Sequence, residues 1–212
     1  MSDFLPMFPL RLVVFPGEKL NLHIFEPRYR ELIKECVDQG TTFGIPPFLS
    51  KEVSKFGTEV KLVKIEREYD DGKYDIRTEG QRIFQVRDFF AKAEGKLYPG
   101  AYIDFVEPDM EGDIMIYLKI LEKTKELYEI LNINKSIPED PNEMSTYELA
   151  HHVGFSIEQE YEFLRIPEER MRQTRMLSHL EHLIPIVREM ETLRERVKLN
   201  GHFKDAIPPD LL

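Results

Sequence analysis

The sequence predicts an α+β protein: a β-rich N-terminal half with one early helix, then a C-terminal half built only of helices. Three observations predict it. From Leu20 to Val106, apolar and polar residues alternate in short runs broken by Pro, Gly and Asp turn signals, the period of half-buried strands. From Ile114 onward the apolar residues recur at intervals of three and four, the spacing of one helical face. Between the two, Glu107–Asp113 (EPDMEGD) is acidic and turn-forming, which places a domain boundary there and sets the expected domains at 1–110 and 111–212.

Leu5–Phe15 reads as a strand that Pro6 and Pro9 confine to a sheet edge or a bulged path. Pro16-Gly17 turns the chain. Leu20, Leu22 and Ile24 then alternate with Asn21, His23 and Phe25. Pro27 suits the first turn of a helix, where its missing N–H has no partner to lose. Tyr29, Leu32, Ile33, Cys36 and Val37 share one face of that helix, and Gly40 is its expected stop. Thr42–Ile45 is a short strand, and Pro46–Phe56 a loop. Gly57–Asp70 is a long strand in which Val60 and Leu62 share one face and Val63 and Ile65 the other. That change of phase predicts either a bulge or burial on both faces. Asp70-Asp71-Gly72 is a hairpin signal. Tyr74, Ile76 and Thr78 return, Glu79-Gly80 is expected to turn again, and Ile83–Val86 and Tyr98–Val106 continue the antiparallel pattern. About six short strands at this spacing argue for a small closed or nearly closed β-barrel.

In the helical half, Ile114, Tyr117, Leu118, Leu121, Tyr128 and Leu131 form the first stripe. Pro138–Glu143 is an acidic connector. Ser145-x-x-Glu148 and Ser156-x-x-Gln159 are capping boxes that open two short helices, one ending near Gly154 and the other before Pro167. A long helix follows from Glu168 to Leu199, with Met176, Leu180, Leu183, Val187, Met190, Leu193 and Val197 as its stripe and Asn200-Gly201 as its end. At 1.5 Å per residue it would span about 48 Å, more than a small domain needs, so it is expected to project as a stalk, kinked at Pro185.

Composition narrows the function. With 29 basic and 39 acidic residues, the formal net charge of −10 argues against a nucleic acid or an anionic membrane as partner. The single cysteine, Cys36, rules out an internal disulfide and any multi-cysteine metal site. No basic start with an apolar h-region is present, and no apolar run approaches the ~20 residues that cross a bilayer, so a cytoplasmic location is expected.

Several motifs fall together. LPMFPLRLVVFPG followed by LNLHIFEPRYRELIKE resembles the start of the N-terminal substrate-recognition domain of Lon-type ATP-dependent proteases. Phe43-Gly44-Ile45, Phe56-Gly57-Thr58, Asp71-Gly72-x-Tyr74, and Thr78-Glu79-Gly80 with Arg82 and Phe84 match further landmarks of that family in its order. The similarity runs from Leu5 to about Lys198. It implies a six-stranded PUA-like pseudo-barrel followed by a helical bundle, and a role in engaging client polypeptides. The family's ATPase module has no counterpart here, since no G-x-x-x-x-G-K-[ST] phosphate cradle occurs, and neither does its Ser–Lys peptidase dyad. The Met1 start and the tail Ile207–Leu212 are those expected of a stand-alone chain.

The expected function is therefore a non-enzymatic polypeptide-binding module without cofactor. It would hold unfolded or flexible clients, deliver them to a separate protease or chaperone, and form a homo-oligomer if the long helix pairs with itself. The alternatives are an RNA-binding PUA-like module and a purely structural self-associating protein. A peptidase would need a nucleophile and a base in a defined site, and the sequence offers neither. The pairs His151-His152 and His179-x-x-His182 fall short of the three or four protein ligands of a zinc site. Cys36 lies on an apolar stripe, as inert cysteines do. Asp70-Asp71 and Glu168-Glu169 occupy a hairpin tip and a helix start, where acids are structural. The arginines from Arg170 to Arg196 alternate with glutamates, as on a solvated face. Pro46-Pro47-Phe48-Leu49 stands out. It sets two large apolar residues in a proline-stiffened loop, and Phe48 and Leu49 are the candidate client contacts.

Overall fold

The computed structural model describes residues 3–137 and 145–204. The acidic connector 138–143 and the tail 207–212 lie outside the described residues. In chain order the elements are β1 (Asp3–Pro6), β2 (Lys19–Ile24), α1 (Pro27–Gln39), β3 (Phe43–Ile45), β4 (Phe48–Leu49), β5 (Glu52–Val53), β6 (Phe56–Glu68), β7 (Tyr74–Phe90), β8 (Gly100–Val106), α2 (Ile114–Leu131), a 3-10 helix (Thr146–His152), α3 (Ile157–Leu164) and α4 (Glu169–Lys204). The fold is α+β, with a multi-stranded sheet and C-terminal helices. Two compact units divide the chain: Met1–Glu111 with Gly154–Glu169, and Gly112–Val153 with Arg170–Leu212.

The first unit is organised on β7. Its neighbours in the six-stranded sheet run β1-β8-β7-β6-β3, and β2 pairs with the first half of β7. All these pairings are antiparallel. Isolated parallel bridges, Met7 to Gly44 and Leu10 to Pro47, tie the chain after β1 to the β3 region. The strand expected over Leu5–Phe15 stops at Pro6, because Pro6 and Pro9 have no N–H to give a ladder. As expected, α1 opens with Pro27 and ends at Gly40, whose φ of 66° is left-handed. It buries Tyr29, Leu32, Ile33 and Cys36, while Val37 stays exposed. Full burial of Leu32 and Ile33 stabilises the unit by about 1.5–3 kcal/mol each. The ring of Tyr29 stacks on Phe8 with centroids 3.8 Å apart.

One open alternative is resolved and two local expectations are corrected. The phase change in β6 comes from bulges: its register with β7 slips between Thr58 and Val60, between Leu62 and Lys64, and between Ile65 and Arg67, leaving Val63 exposed. Glu79-Gly80 is not a turn, and β7 runs through it unbroken. Gly80 is needed for a different reason. A Cβ there would collide with the Phe15 carbonyl oxygen, because the Phe15–Glu18 turn crosses at this point. Gly17 N–H donates to Gly80 O (2.9 Å) and Gly80 N–H to Glu18 O (2.8 Å). Finally, the 46–56 loop holds a miniature hairpin, β4–β5, whose two turn residues, Ser50 and Lys51, have φ of 50° and 68°.

Helix α3 belongs to this first unit. Its capping box is formed as the sequence predicts, with Ser156 and Gln159 exchanging backbone bonds of 2.8 and 3.3 Å. Its Phe163 ring meets Phe15 edge-on, and Tyr161 Oη accepts from Phe56 N–H at 3.3 Å.

In the second unit, Asp113 caps α2 by accepting from the amides of Met115 and Ile116. The buried stripe of α2 is rotated from the expected one. Ile120, Thr124 and Leu127 join Tyr117, Leu121 and Tyr128, while Ile114, Leu118 and Leu131 are exposed. Thr124 can sit inside because its hydroxyl donates to the Ile120 carbonyl (2.8 Å). Ser145 opens a 3-10 helix, its hydroxyl accepting from Tyr147 N–H. Helix α4 continues through Asn200-Gly201 to Lys204, since one interior Gly costs only about 1 kcal/mol. It also continues through Pro185, on an exposed face where water can bond the Glu181 carbonyl that lost its partner.

Candidate functional site

The residues that carry the sequence motifs are architectural. Thr78 is fully buried and donates its hydroxyl to Leu20 O (2.9 Å). Arg82 Nε and Nη2 reach Glu59 at 2.8 and 3.2 Å, and Thr42 Oγ1 donates to the same carboxylate at 2.7 Å. The Arg82 guanidinium also lies over the Phe105 ring, 3.5 Å from its centre. Phe84 is fully buried, and its ring occupies the space that a Cβ on Gly44 or Gly57 would take. These groups hold strands together; Thr78, Glu59 and Phe84 are buried, while the Arg82 side chain lies over them at the surface.

The open apolar surface of the first unit lies elsewhere. A groove of about 390 Å³ is lined by Pro9, Leu10, Tyr29, Phe48, Val53 and Phe89, together with Arg11 and Arg28. The β4–β5 hairpin builds one wall. Phe48 N–H donates to Leu10 O (2.7 Å) and Leu10 N–H to Pro46 O (3.4 Å), which anchors the hairpin to the chain after β1, while Ser54 N–H to Pro47 O (2.8 Å) closes the hairpin on itself. Phe48 pairs with Val53 in register and remains 42% exposed. Of the two residues singled out from sequence, only Phe48 lines the groove. Leu49 is half-buried, pairs with Glu52, and points to the other face, as neighbours in a strand must. Phe89 and Tyr29 were not legible as groove residues. Phe89 belongs to the doublet Phe89-Phe90, in which strand alternation sends one ring to each side, but the side that opens into a groove depends on the register.

Phe90 joins a second exposed cluster with Phe4 and Tyr102. The Phe4 and Phe90 rings meet Tyr102 edge-on, at 5.6 and 5.8 Å. This trio lies on β1, β7 and β8 and is between 41 and 47% exposed.

Several titratable groups are held by hydrogen bonds or by burial. Glu35 accepts from Lys96 Nζ and Tyr98 Oη, each at 2.6 Å, and these bonds hold its carboxyl below the usual range. Burial, then the Glu35 carboxylate, raises the Tyr98 phenol. Burial pushes the Cys36 thiol up to about 11, so it is protonated and unreactive at neutral pH. His152 Nδ1 pairs with Tyr128 Oη at 2.7 Å, and His179 Nε2 donates to Val153 O at 3.1 Å. Burial lowers both imidazoles. Among the described residues, no group of three or more His, Cys, Asp or Glu is placed to hold a metal ion. No described helix is long and apolar enough to cross a membrane.

Comparison with known proteins gives this geometry a context. The family model described as ATP-dependent protease La (LON) substrate-binding domain matches residues 4–182. The chain is similar to the crystal structure of a Lon N-terminal domain protein from Xanthomonas campestris, with a TM-score of 0.65 and 25% identity over 83% of this chain and 98% of that one. It is also similar to the N-terminal domain of the Lon protease of the Mycobacterium avium complex, with a TM-score of 0.60 over 84% of this chain and 98% of that one; at 16% identity that likeness shows the fold alone. Among curated proteins, cereblon of Danio rerio is 29% identical over 99 residues, 43% of this chain and 23% of cereblon. The chain thus matches about a quarter of the length of that relative.

Proposed function

We propose that this chain, which belongs to the ATP-dependent protease La (LON) substrate-binding domain family, is a non-enzymatic module that binds unfolded or flexible polypeptide segments. One observation carries the reading: the substrate-binding family model spans residues 4–182, nearly all of the described structure. The groove between Phe48 and Phe89 supports it. It offers aromatic and aliphatic lining to a side chain, the kind of mostly apolar concave site that captures one anchor residue. Phe48 lines the contact directly, and Leu49 acts through the hairpin that positions Phe48. The bridges from Met7 to Gly44 and from Leu10 to Pro47 join the two ends of the strand order, which supports reading the sheet as the closed PUA-like barrel of the family. Captured segments would pass to a separate protease or chaperone.

The test is fluorescence anisotropy with a permanently unfolded polypeptide and its folded counterpart. Selective binding of the unfolded form, little weakened between 50 mM and 300 mM salt, is the expected result, because apolar contacts are not screened. Binding of neither form overturns the proposal. Steeply salt-dependent binding of an RNA oligomer in place of the polypeptide would replace it with a nucleic-acid role.

A further inference from the structure

The C-terminal half of α4 carries an apolar strip that the described residues of its own unit leave open. Ile186, Met190, Leu193 and Val197 are 51, 62, 52 and 70% exposed. Their spacing is four, three, four. At about 100° per residue they fall within a strip about 60° wide. Arg188, which reaches Glu126 on α2, lies about half a turn round the helix from that strip. One side of α4 is therefore engaged within the unit while the other presents a seam to solvent.

We propose that this seam pairs with α4 of a second copy of the chain, as a short two-stranded coiled coil. Met190 and Val197 take the a positions and Ile186 and Leu193 the d positions of a heptad. The flanking charges identify the occupant. Glu189 and Arg196 border the strip on one side and Arg194 on the other. In a parallel pair, Glu189 faces Arg194 of the second copy; in an antiparallel pair it faces Arg196. Opposite charges meet in both arrangements, and the two-fold relation makes each contact twice. An unrelated client has no reason to match either the heptad spacing or these flanks. The competing contact within the chain, from Arg194 to Glu191 at 3.2 Å, is exposed and readily exchanged. The strip is about 17 Å long, and it buries less than the ~1,200 Å² at which standard interfaces begin. The dimer is accordingly weak and concentration-dependent, and it is independent of the groove.

Sedimentation equilibrium of the full chain from 1 to 500 µM tests this. The expected result is a monomer–dimer equilibrium in the micromolar range. Met190→Glu with Leu193→Glu should leave the far-UV spectrum and the thermal midpoint unchanged, since both side chains are exposed, and should keep the chain monomeric throughout. Glu189→Arg should weaken the dimer about fivefold at low salt. Adding Arg194→Glu restores it if the pair is parallel, and adding Arg196→Glu does so if it is antiparallel. A wild type that is monomeric at every concentration overturns the proposal, as does a Met190→Glu, Leu193→Glu variant that dimerises normally. Failure of both charge swaps to restore association does so as well.

Discussion

Phe84 and Phe48 lie in the same unit and do opposite things. Phe84 is fully buried at the meeting of β3, β6 and β7, with its ring set against glycines that leave room for nothing else. Phe48 sits on a two-residue strand, leaves 42% of its surface to solvent, and faces a groove. The difference teaches that buried motif residues such as Phe84 mark the frame, while the surface available for binding is assembled from motif residues and others, such as Phe89, that only the tertiary structure brings together. If that division is right, changes in the frame cost stability, and changes at the exposed groove residues cost mainly binding.

The largest expected effect is from Phe84→Ala. Removing a fully buried ring should cost about 3–5 kcal/mol, read as a lower urea midpoint at unchanged slope. A loss under 1 kcal/mol would show that Phe84 does not belong to the frame. Next is Gly80→Ala. The added methyl meets the Phe15 carbonyl, so the crossing of the Phe15–Glu18 turn over β7 must yield, at about 1–3 kcal/mol. If Gly80 only allowed a turn, the same change would be judged by φ; here the backbone is ordinary strand and the cost is steric.

A smaller effect tests the frame by pH. Bonds from Lys96 and Tyr98 lower the Glu35 carboxyl in the folded protein. A depressed carboxylate contributes stability above its unfolded pKa, and that stability is lost as pH falls through the folded one. The urea midpoint should therefore drop on acidification below about pH 5, and Glu35→Gln should flatten that drop. A variant with the wild-type acid profile would remove Glu35 from the account.

The smallest stability effect belongs to the pair Phe48→Ser with Leu49→Ser. Exposure of Phe48 limits the loss to about 1 kcal/mol, while client affinity should fall about tenfold. Binding that survives the double change would leave the groove without a role.

How far the sequence could be read follows the same division. Pro27 and Gly40 bracket α1, and the Ser156–Gln159 box opens α3, because each fixes a backbone bond through its own chemistry. Gly80 was misleading because glycine serves a turn and a close crossing equally well, and only the partner strand tells them apart. The β4–β5 hairpin was hidden because Ser50-Lys51 lacks the Asn-Gly or Asp-Gly signal usual for two left-handed residues. The stripe of α2 shifted because Thr124 bonds its own helix and so counts as apolar. The groove was half legible. Phe48 was marked by its proline-stiffened surroundings, but Phe89 and Tyr29 reach it from a strand and a helix far along the chain, a juxtaposition that tertiary register alone creates.

The most direct measurement is anisotropy of one labelled unfolded polypeptide against the wild type and against Phe48→Ser with Phe89→Ser, both verified as folded by circular dichroism. The account predicts selective binding by the wild type and a loss of about tenfold or more in the variant. Equal binding by the two proteins would contradict it and move the contact surface away from the groove.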